Sequence, residues 1–326
     1  MACYATHLAQ GQNLRCKELK SKTIRLYLKA AEQFIASGKQ MSPLIDHFGN
    51  TAPLIQSVLH EVKRWEQIPK RREPLTKPMV LALQHKASTS SNVHTIDNAI
   101  ADWATLGLFI GQRLSEFAQD ATQLKNKPFN YTTNKDGSAT AFIMSDFTFY
   151  ANDRQQIPDI TAKVVPTPIS IDVKWRFQKN GQNGQIITFA SNPTDTTMCP
   201  VRAAVRICQR AAHFGVPANF PIGVARAVVV SQTYRFITND DLKTHFQQAA
   251  AKVYNITNKQ ALTLWTAHSI RVGAAVLLQE MGKSADFIQQ RLRWLSDAYK
   301  VYLRNLPQLA LEHNTVVSNA SRAVIL

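Results

Sequence analysis

The chain has 326 residues, 45% of them hydrophobic, which is enough for two packed domains. Lys and Arg number 38 against 22 Asp and Glu, a formal net charge of +16 that favours a polyanionic partner, nucleic acid ahead of an acidic membrane surface. No apolar run is long enough to cross a bilayer and the N-terminus lacks a signal-peptide pattern, so a soluble intracellular protein with no membrane partner is expected. The four cysteines, Cys3, Cys16, Cys199 and Cys208, form no Cys-x-x-Cys pair and suit neither a zinc ribbon nor a disulfide framework. Reduced thiols are expected, with Cys208 as a small core residue.

The positive charge is uneven. Residues 1–87 hold 14 basic and 6 acidic residues, so about a quarter of the chain carries half of the net charge. After a polar start that reads as loose, SKTIRLYLKAAEQFIASG spaces Ile24, Tyr27, Leu28, Ala31, Phe34 and Ile35 as one helical face. Ser21 can cap this helix and Gly38 can stop it, while Lys22, Arg25 and Lys29 share the opposite face. A second helix is expected over APLIQSVLHEVKRWEQ. The following IPKRREPLTKPM, with three prolines among its cations, reads as an interdomain linker that includes Lys70, Arg71 and Arg72. This gives two domains, 1–70 and 71–326.

Beyond the linker, NVHTIDNAIADWATLGLFIGQRLSEFAQ is strongly helical, with Ile96, Ile100, Trp103 and Ile110 at core spacing. A β region follows. AFIMSDFTFY is one candidate strand, and Ile169, Ile171, Val173, Trp175 and Phe177 alternate with polar residues in another. KNGQNG then turns the chain into QIITFA. Helical patterns return in CPVRAAVRICQRAA, NDDLKTHFQQAAAKVY and TAHSIRVGAAVLL, before two short helices and a tail from Pro307. The expected fold is mainly α with a small antiparallel sheet.

Four places offer groups able to handle phosphate: Arg113 with Glu116, Lys179 at the hairpin turn, His268 with Arg271, and RWLSDAYKVYLRN with Trp294, Tyr299 and Tyr302. Each has an ordinary reading by itself. Arg113 can pair with Glu116 on a helix face, Lys179 can be a solvated turn lysine, His268 can cap a helix, and Tyr302 can pack behind Trp294. As an ordered set, Arg…Lys…His-x-x-Arg…Trp…Tyr, they resemble the signature of the tyrosine recombinase (phage integrase) family. GQRLSEF is similar to the family's first box, and AHSIRVGAA to its second, especially in the Cre-like version. YLRNL resembles the segment around the nucleophile. RWLSDAYKVYLR and MCPVRAA are also similar to recombinases of eukaryotic mobile elements.

The resemblance covers about Arg72 to Leu306 and implies a two-domain clamp on double-stranded DNA, with a helical core-binding domain before the catalytic one. It places Tyr302 on the nucleophile. Arg113, Lys179, His268, Arg271 and Trp294 fall on the other catalytic positions, and Glu116 on the acid that supports Arg113. Two points depart from the pattern. Tyr302 follows Trp294 by eight residues where nine are usual, with Tyr299 the competitor at five. The lysine is Lys179 or, second, Lys174. The implied chemistry is strand cleavage and rejoining through a 3′-phosphotyrosyl ester, with no metal or other cofactor. The working form is a homo-tetramer on paired sites, in the nucleus if the host is eukaryotic. Lys22, Arg25, Lys29, Lys70, Arg71 and Arg72 are the expected DNA-backbone contacts. Two other readings share these residues: a type IB topoisomerase, and a recombinase-derived DNA binder that no longer cleaves.

Overall fold

The computed structural model of the chain describes residues 1–13, 18–36, 42–66, 71–124, 129–178, 181, 183–228, 232–303, 311, 314, 315 and 318. The chain divides into two compact units, Met1–Lys70 and Arg71–Leu326. Among the described residues no helix is long and apolar enough to cross a membrane.

The first unit is three helices, α1 (Ala2–Ala9), α2 (Ser21–Ala36) and α3 (Pro53–Trp65). They bury Ala5, Leu8, Ile24, Leu28, Ile55 and Leu59. Helix α1 replaces the loose start expected from sequence: its two core residues, Ala5 and Leu8, lie one helical turn apart on one face. On α2 the core takes Ile24 and Leu28. Tyr27, Phe34 and Ile35 are exposed, so the apolar face read from the spacing is wider than the core it meets.

The second unit is mainly helical. It opens with α4 (Lys77–Ser88), α5 (Ile96–Ile110) and the short α6 (Ala121–Leu124). Strands β1 (Phe147–Tyr150), β2 (Gln156–Ile157), β3 (Ser170–Trp175) and β4 (Gln185–Ala190) form an antiparallel sheet in the order β2-β1-β3-β4. Ile171, Val173 and Trp175 are buried as the alternation requires. Ile169 and Phe177 are each 40% exposed, because they lie beyond the paired register Ser170–Trp175. Helix α7 (Pro200–His213) comes next. A second hairpin, β5 (Val224–Arg226) with β6 (Tyr234–Phe236), precedes α8 (Asn239–Tyr254), α9 (Lys259–Leu262), α10 (Ser269–Glu280), α11 (Ala285–Leu292) and α12 (Lys300–Leu303). That hairpin has no counterpart in the sequence reading; its three-residue strands are too short to show a period.

Helix α5 is the centre of the unit. It is buried almost all round, from Ala99 to Ile110, as a helix apolar on every face must be. Its one buried acid, Asp102, is paired with Arg206 at 2.5 Å and with Arg210. Cys199 and Cys208 are buried free thiols and Cys3 an exposed one. A second, smaller core joins α10, α11 and α12 through Val272, Ala275, Val276, Ile288, Leu292, Tyr299 and Leu303.

The stretch taken as a linker is shorter than its composition suggests. Leu75 and Met79 are fully buried, and the backbone N–H of Leu75 donates to the Ser269 carbonyl at 2.8 Å. The chain thus crosses directly over α10, and Gly273 makes the crossing possible: a Cβ there would stand 2.1 Å from the Leu75 carbonyl oxygen. Proline and cations describe the entry to this segment, but its apolar residues belong to the core.

Candidate active site

The site is assembled where four helix ends meet. Helix α5 ends at Gly111 in the left-handed conformation, φ +56°, where an L-side chain would be strained and would press on Leu292. The turn takes Arg113 off the helix into an extended residue ahead of a short 3-10 turn at Leu114–Glu116. Arg113 and Glu116 therefore meet across a turn, not along the helix face that sequence spacing allows. Glu116 accepts from the Arg113 backbone N–H at 2.9 Å and from its Nη1 at 3.0 Å.

Glu116 is buried, and further donors converge on it. Arg293 gives Nη1 and Nη2, both at 3.2 Å, and the Trp175 indole N–H donates at 3.3 Å. Burial works against the charge of this carboxylate. Arg293 and then Arg113 outweigh it and hold the group below the usual carboxylate range.

His268 is the N-cap of α10, with Arg271 in the first turn. The apolar stripe Val272, Ala275, Val276 is buried behind them, so the pair is fixed to the core by its own helix. Arg271 is itself buried. Its Nη1 donates to the Gly111 carbonyl, its Nη2 to the Arg293 carbonyl at 3.5 Å, and its guanidinium lies 4.0 Å from the centre of the Trp294 ring. Burial, followed by repulsion from Arg113 and Arg293, lowers its pKa to about 9. It stays charged at neutral pH.

The two tyrosines take different places. Tyr299 is fully buried and its hydroxyl donates to the Ala285 carbonyl at 3.3 Å. The Tyr302 hydroxyl stands 2.9 Å from His268 Nε2. The His268 ring is open to solvent on one edge. The protein packed on its other side, then Arg271 and Arg72, hold its pKa below the ordinary value. Burial raises the pKa of Tyr302, and the nearby Arg271 opposes that rise. Trp294 packs against both Arg271 and Tyr302, its ring centre 6.4 Å from that of Tyr302, with its indole N–H buried and without a hydrogen-bond partner among the described residues.

Arg113, His268, Arg271, Trp294 and Tyr302 line one open cleft of about 970 Å³. Arg72 reaches the same cleft, anchored through its Nη1 to the Thr263 carbonyl at 3.0 Å. Lys179 and Lys70 lie outside the described residues. Lys174 is exposed on the face of β3 opposite Trp175 and does not line the cleft. Lys22, Arg25 and Lys29 are all exposed along α2, and Arg71 is exposed at the start of the second unit. Sequence reasoning missed Lys243 on the cleft wall, Trp175 beneath it, and above all Arg293. An arginine directly before Trp294 was visible, but nothing in the pattern shows that it turns inward.

No family model matches the sequence, and no curated protein matches it by sequence. Among solved structures the chain is similar to the XerH site-specific recombinase bound to difH substrate, at 12% identity and a TM-score of 0.46, over 91% of this chain and 65% of that one. It thus spans just under two thirds of that protein's length. It is also similar to the Tn1549 transposon integrase in complex with transposon right-end DNA, at 13% identity and a TM-score of 0.45, over 97% of this chain and 85% of that one. A lambda integrase dimer bound to a core site gives 14% identity and a TM-score of 0.37, over 92% and 86%.

Proposed function

We propose that the protein is a tyrosine recombinase: a metal-independent enzyme that cleaves and rejoins DNA strands through a phosphotyrosyl intermediate, in the service of a mobile element. The observation that carries this reading is the Tyr302 hydroxyl set 2.9 Å from His268 Nε2, in a cleft that Arg113 and Arg271 also line.

The chemistry follows from those groups. A phenol with a pKa of about 10 is protonated at neutral pH and needs a base to become a nucleophile. His268, held below its ordinary pKa, is neutral there and free to accept the proton at Nε2. Tyr302 Oη then forms the new O–P bond as the bond from phosphorus to the 5′ oxygen breaks. The leaving oxygen takes a proton from Lys179, since the alternative, Lys174, does not line the cleft. Arg113 and Arg271 offer planar donors, charged at neutral pH, to the two non-bridging oxygens, where negative charge builds up. Well-aimed donors of this kind are each worth about 3–4 kcal/mol of barrier. The indole N–H of Trp294, unpartnered among the described residues, is a neutral donor beside the same cleft. The ester stores the energy of the broken bond, so a second 5′ hydroxyl reverses the steps without hydrolysis.

The first unit would grip the duplex through Lys22, Arg25, Lys29 and Lys70, and the second through Arg71 and Arg72. Recombination between two sites then calls for four protomers, one per exchanged strand.

The test is a pool of nicked duplexes of random sequence incubated with the protein in EDTA. A protein–DNA adduct that survives denaturation is expected from wild type and from Tyr299→Phe, and none from Tyr302→Phe. An adduct that persists in Tyr302→Phe and disappears in Tyr299→Phe would move the nucleophile. Relaxation of supercoils without joining of two sites would favour the topoisomerase reading, and binding without any adduct the retired binder.

A further inference from the structure

Arg293 has no role in the chemistry just described, yet it is the most constrained cation of the site. It is the residue that ends α11, with φ +57° and ψ +47°, a conformation that helix ends ordinarily give to glycine or asparagine. Its guanidinium is wholly buried, 3.8 Å from the centre of the Trp175 ring. Besides its two bonds to Glu116, it donates to Gln178 Oε1 at 3.2 Å and to the Ile110 carbonyl at 3.4 Å. Its own carbonyl accepts from Arg271. The residue borders the cleft but its guanidinium shows no surface to it, its donors being spent on protein groups, and a buried, backbone-strained arginine is a costly way to fill space.

We propose that Arg293 is a positioning residue that fixes both phosphate-facing arginines. Its side chain keeps Glu116 ionised and aimed, and Glu116 in turn holds Arg113 by backbone and side chain; its carbonyl meets Arg271. The inference rests on the recombinase reading of the cleft. It accounts for the left-handed arginine, since in this conformation the side chain lies against Trp175 of β3 while Trp294, the next residue, faces Arg271. The charged groups facing Glu116 are Arg113 from the turn after α5, Arg293 from the end of α11 and, farther off, Arg271 from α10. Without Arg293, burial would push the Glu116 carboxyl up, and a neutral Glu116 would release Arg113.

The experiment measures the single-turnover rate of adduct formation on nicked DNA from acid to neutral pH, with DNA affinity and unfolding midpoint recorded for each variant. Arg293→Met and Arg293→Gly are expected to lose about 100-fold in rate at unchanged DNA affinity. Relative to wild type, whose own acid limb comes from His268, their rates should fall further as the pH is lowered. Arg293→Lys keeps a charge beside Glu116 and is expected to recover most of the rate and the wild-type profile. In the double variant Glu116→Gln/Arg293→Met the added acid limb should vanish. A Met profile parallel to wild type, or a Lys variant that is folded but no faster than Met, overturns the proposal. Should Met and Gly fail to fold, the Lys variant and Glu116→Gln decide: a wild-type rate in Glu116→Gln refutes the chain of contacts, and a loss in Glu116→Gln beside a near-wild-type Lys variant supports it. Absence of adduct from wild type defeats the recombinase reading instead, and is distinguishable because it precedes any comparison of variants.

Discussion

Replacing Gly273 by Ala tests how the catalytic helix is held. The added Cβ would stand 2.1 Å from the Leu75 carbonyl oxygen, whereas carbon and oxygen in close contact stay about 3.3 Å apart. The backbone of residue 75 or the helix must therefore move by roughly 1 Å, and neither neighbour is a flexible side-chain tip. Overpacking of this kind costs about 1–3 kcal/mol. Disturbing the Leu75 N–H to Ser269 carbonyl bond, 2.8 Å long, adds about 0.5–1.5 kcal/mol. The better helix propensity of Ala returns about 1 kcal/mol. The balance is a destabilisation of about 0.5–3.5 kcal/mol, or a midpoint lowered by roughly 2–4 °C per kcal/mol for a unit of this size. Because His268 and Arg271 ride on the same helix, a shift near 1 Å should also cost up to about 100-fold in adduct formation. Thermal unfolding and the nicked-DNA assay measure the two effects. A variant as stable and as fast as wild type would refute the crossing of Leu75 over α10 as the constraint on this helix.

Other perturbations separate packing from chemistry. Asp102→Ala leaves Arg210, 3% exposed, without its acid, and should lower stability by about 3–5 kcal/mol in denaturant unfolding. Tyr299→Phe removes only the bond to the Ala285 carbonyl, so it should cost about 0.5–1.5 kcal/mol and leave the adduct rate nearly unchanged. The pH dependence has a definite sign: His268 is held below its ordinary pKa, so the cleavage rate should stay flat through neutrality. It should fall only below about pH 6.5, and a limb centred well above that value would exclude His268 as the acceptor. DNA affinity should fall steeply with salt, and replacing Lys22, Arg25 and Lys29 together by Ala should reduce the log–log slope by at most about 2.7. An unchanged slope would remove α2 from the DNA interface.

The parts of the fold legible in the sequence are those whose period survives burial. Helix α5 and strand β3 have a core on the side their apolar residues mark, and the turn at Gly111 is visible as glycine after an apolar run. What escaped notice has a common cause. Helix α1 is eight residues long and β5 and β6 three each, below the length at which one period can be told from another. The supposed linker misled because proline is as much at home in the first turn of a helix, where Pro78 sits in α4, as between domains. Tyr27 and Ile35 show the reverse error: helical spacing establishes a face, but not that the face is buried.

The candidate site was legible to a different degree, because its residues come from distant segments that only order in the chain connects. Arg113, His268, Arg271, Trp294 and Tyr302 reach one cleft although 189 positions separate the first from the last. Side-chain type alone suggests who could take part; which tyrosine does so depends on how the chain winds through the 3-10 turn Asp297–Tyr299 into α12. Tyr299 and Tyr302 are one turn apart, yet one hydroxyl ends on a backbone carbonyl of α11 and the other beside His268. Arg293 lay beyond reach for a sharper reason. Its role depends on a backbone angle of the wrong sign for its residue type, and local propensity argues against placing it there. A residue that contradicts its local preference in this way has to be held by its surroundings, and here the holding contacts are the Glu116 carboxylate and the Trp175 ring. The strain and the site thus require each other. If the turn at residue 293 were relaxed by glycine, the stability gained in the backbone would be offset by a buried Glu116 left with Arg113 as its one close cation and the neutral Trp175 indole N–H.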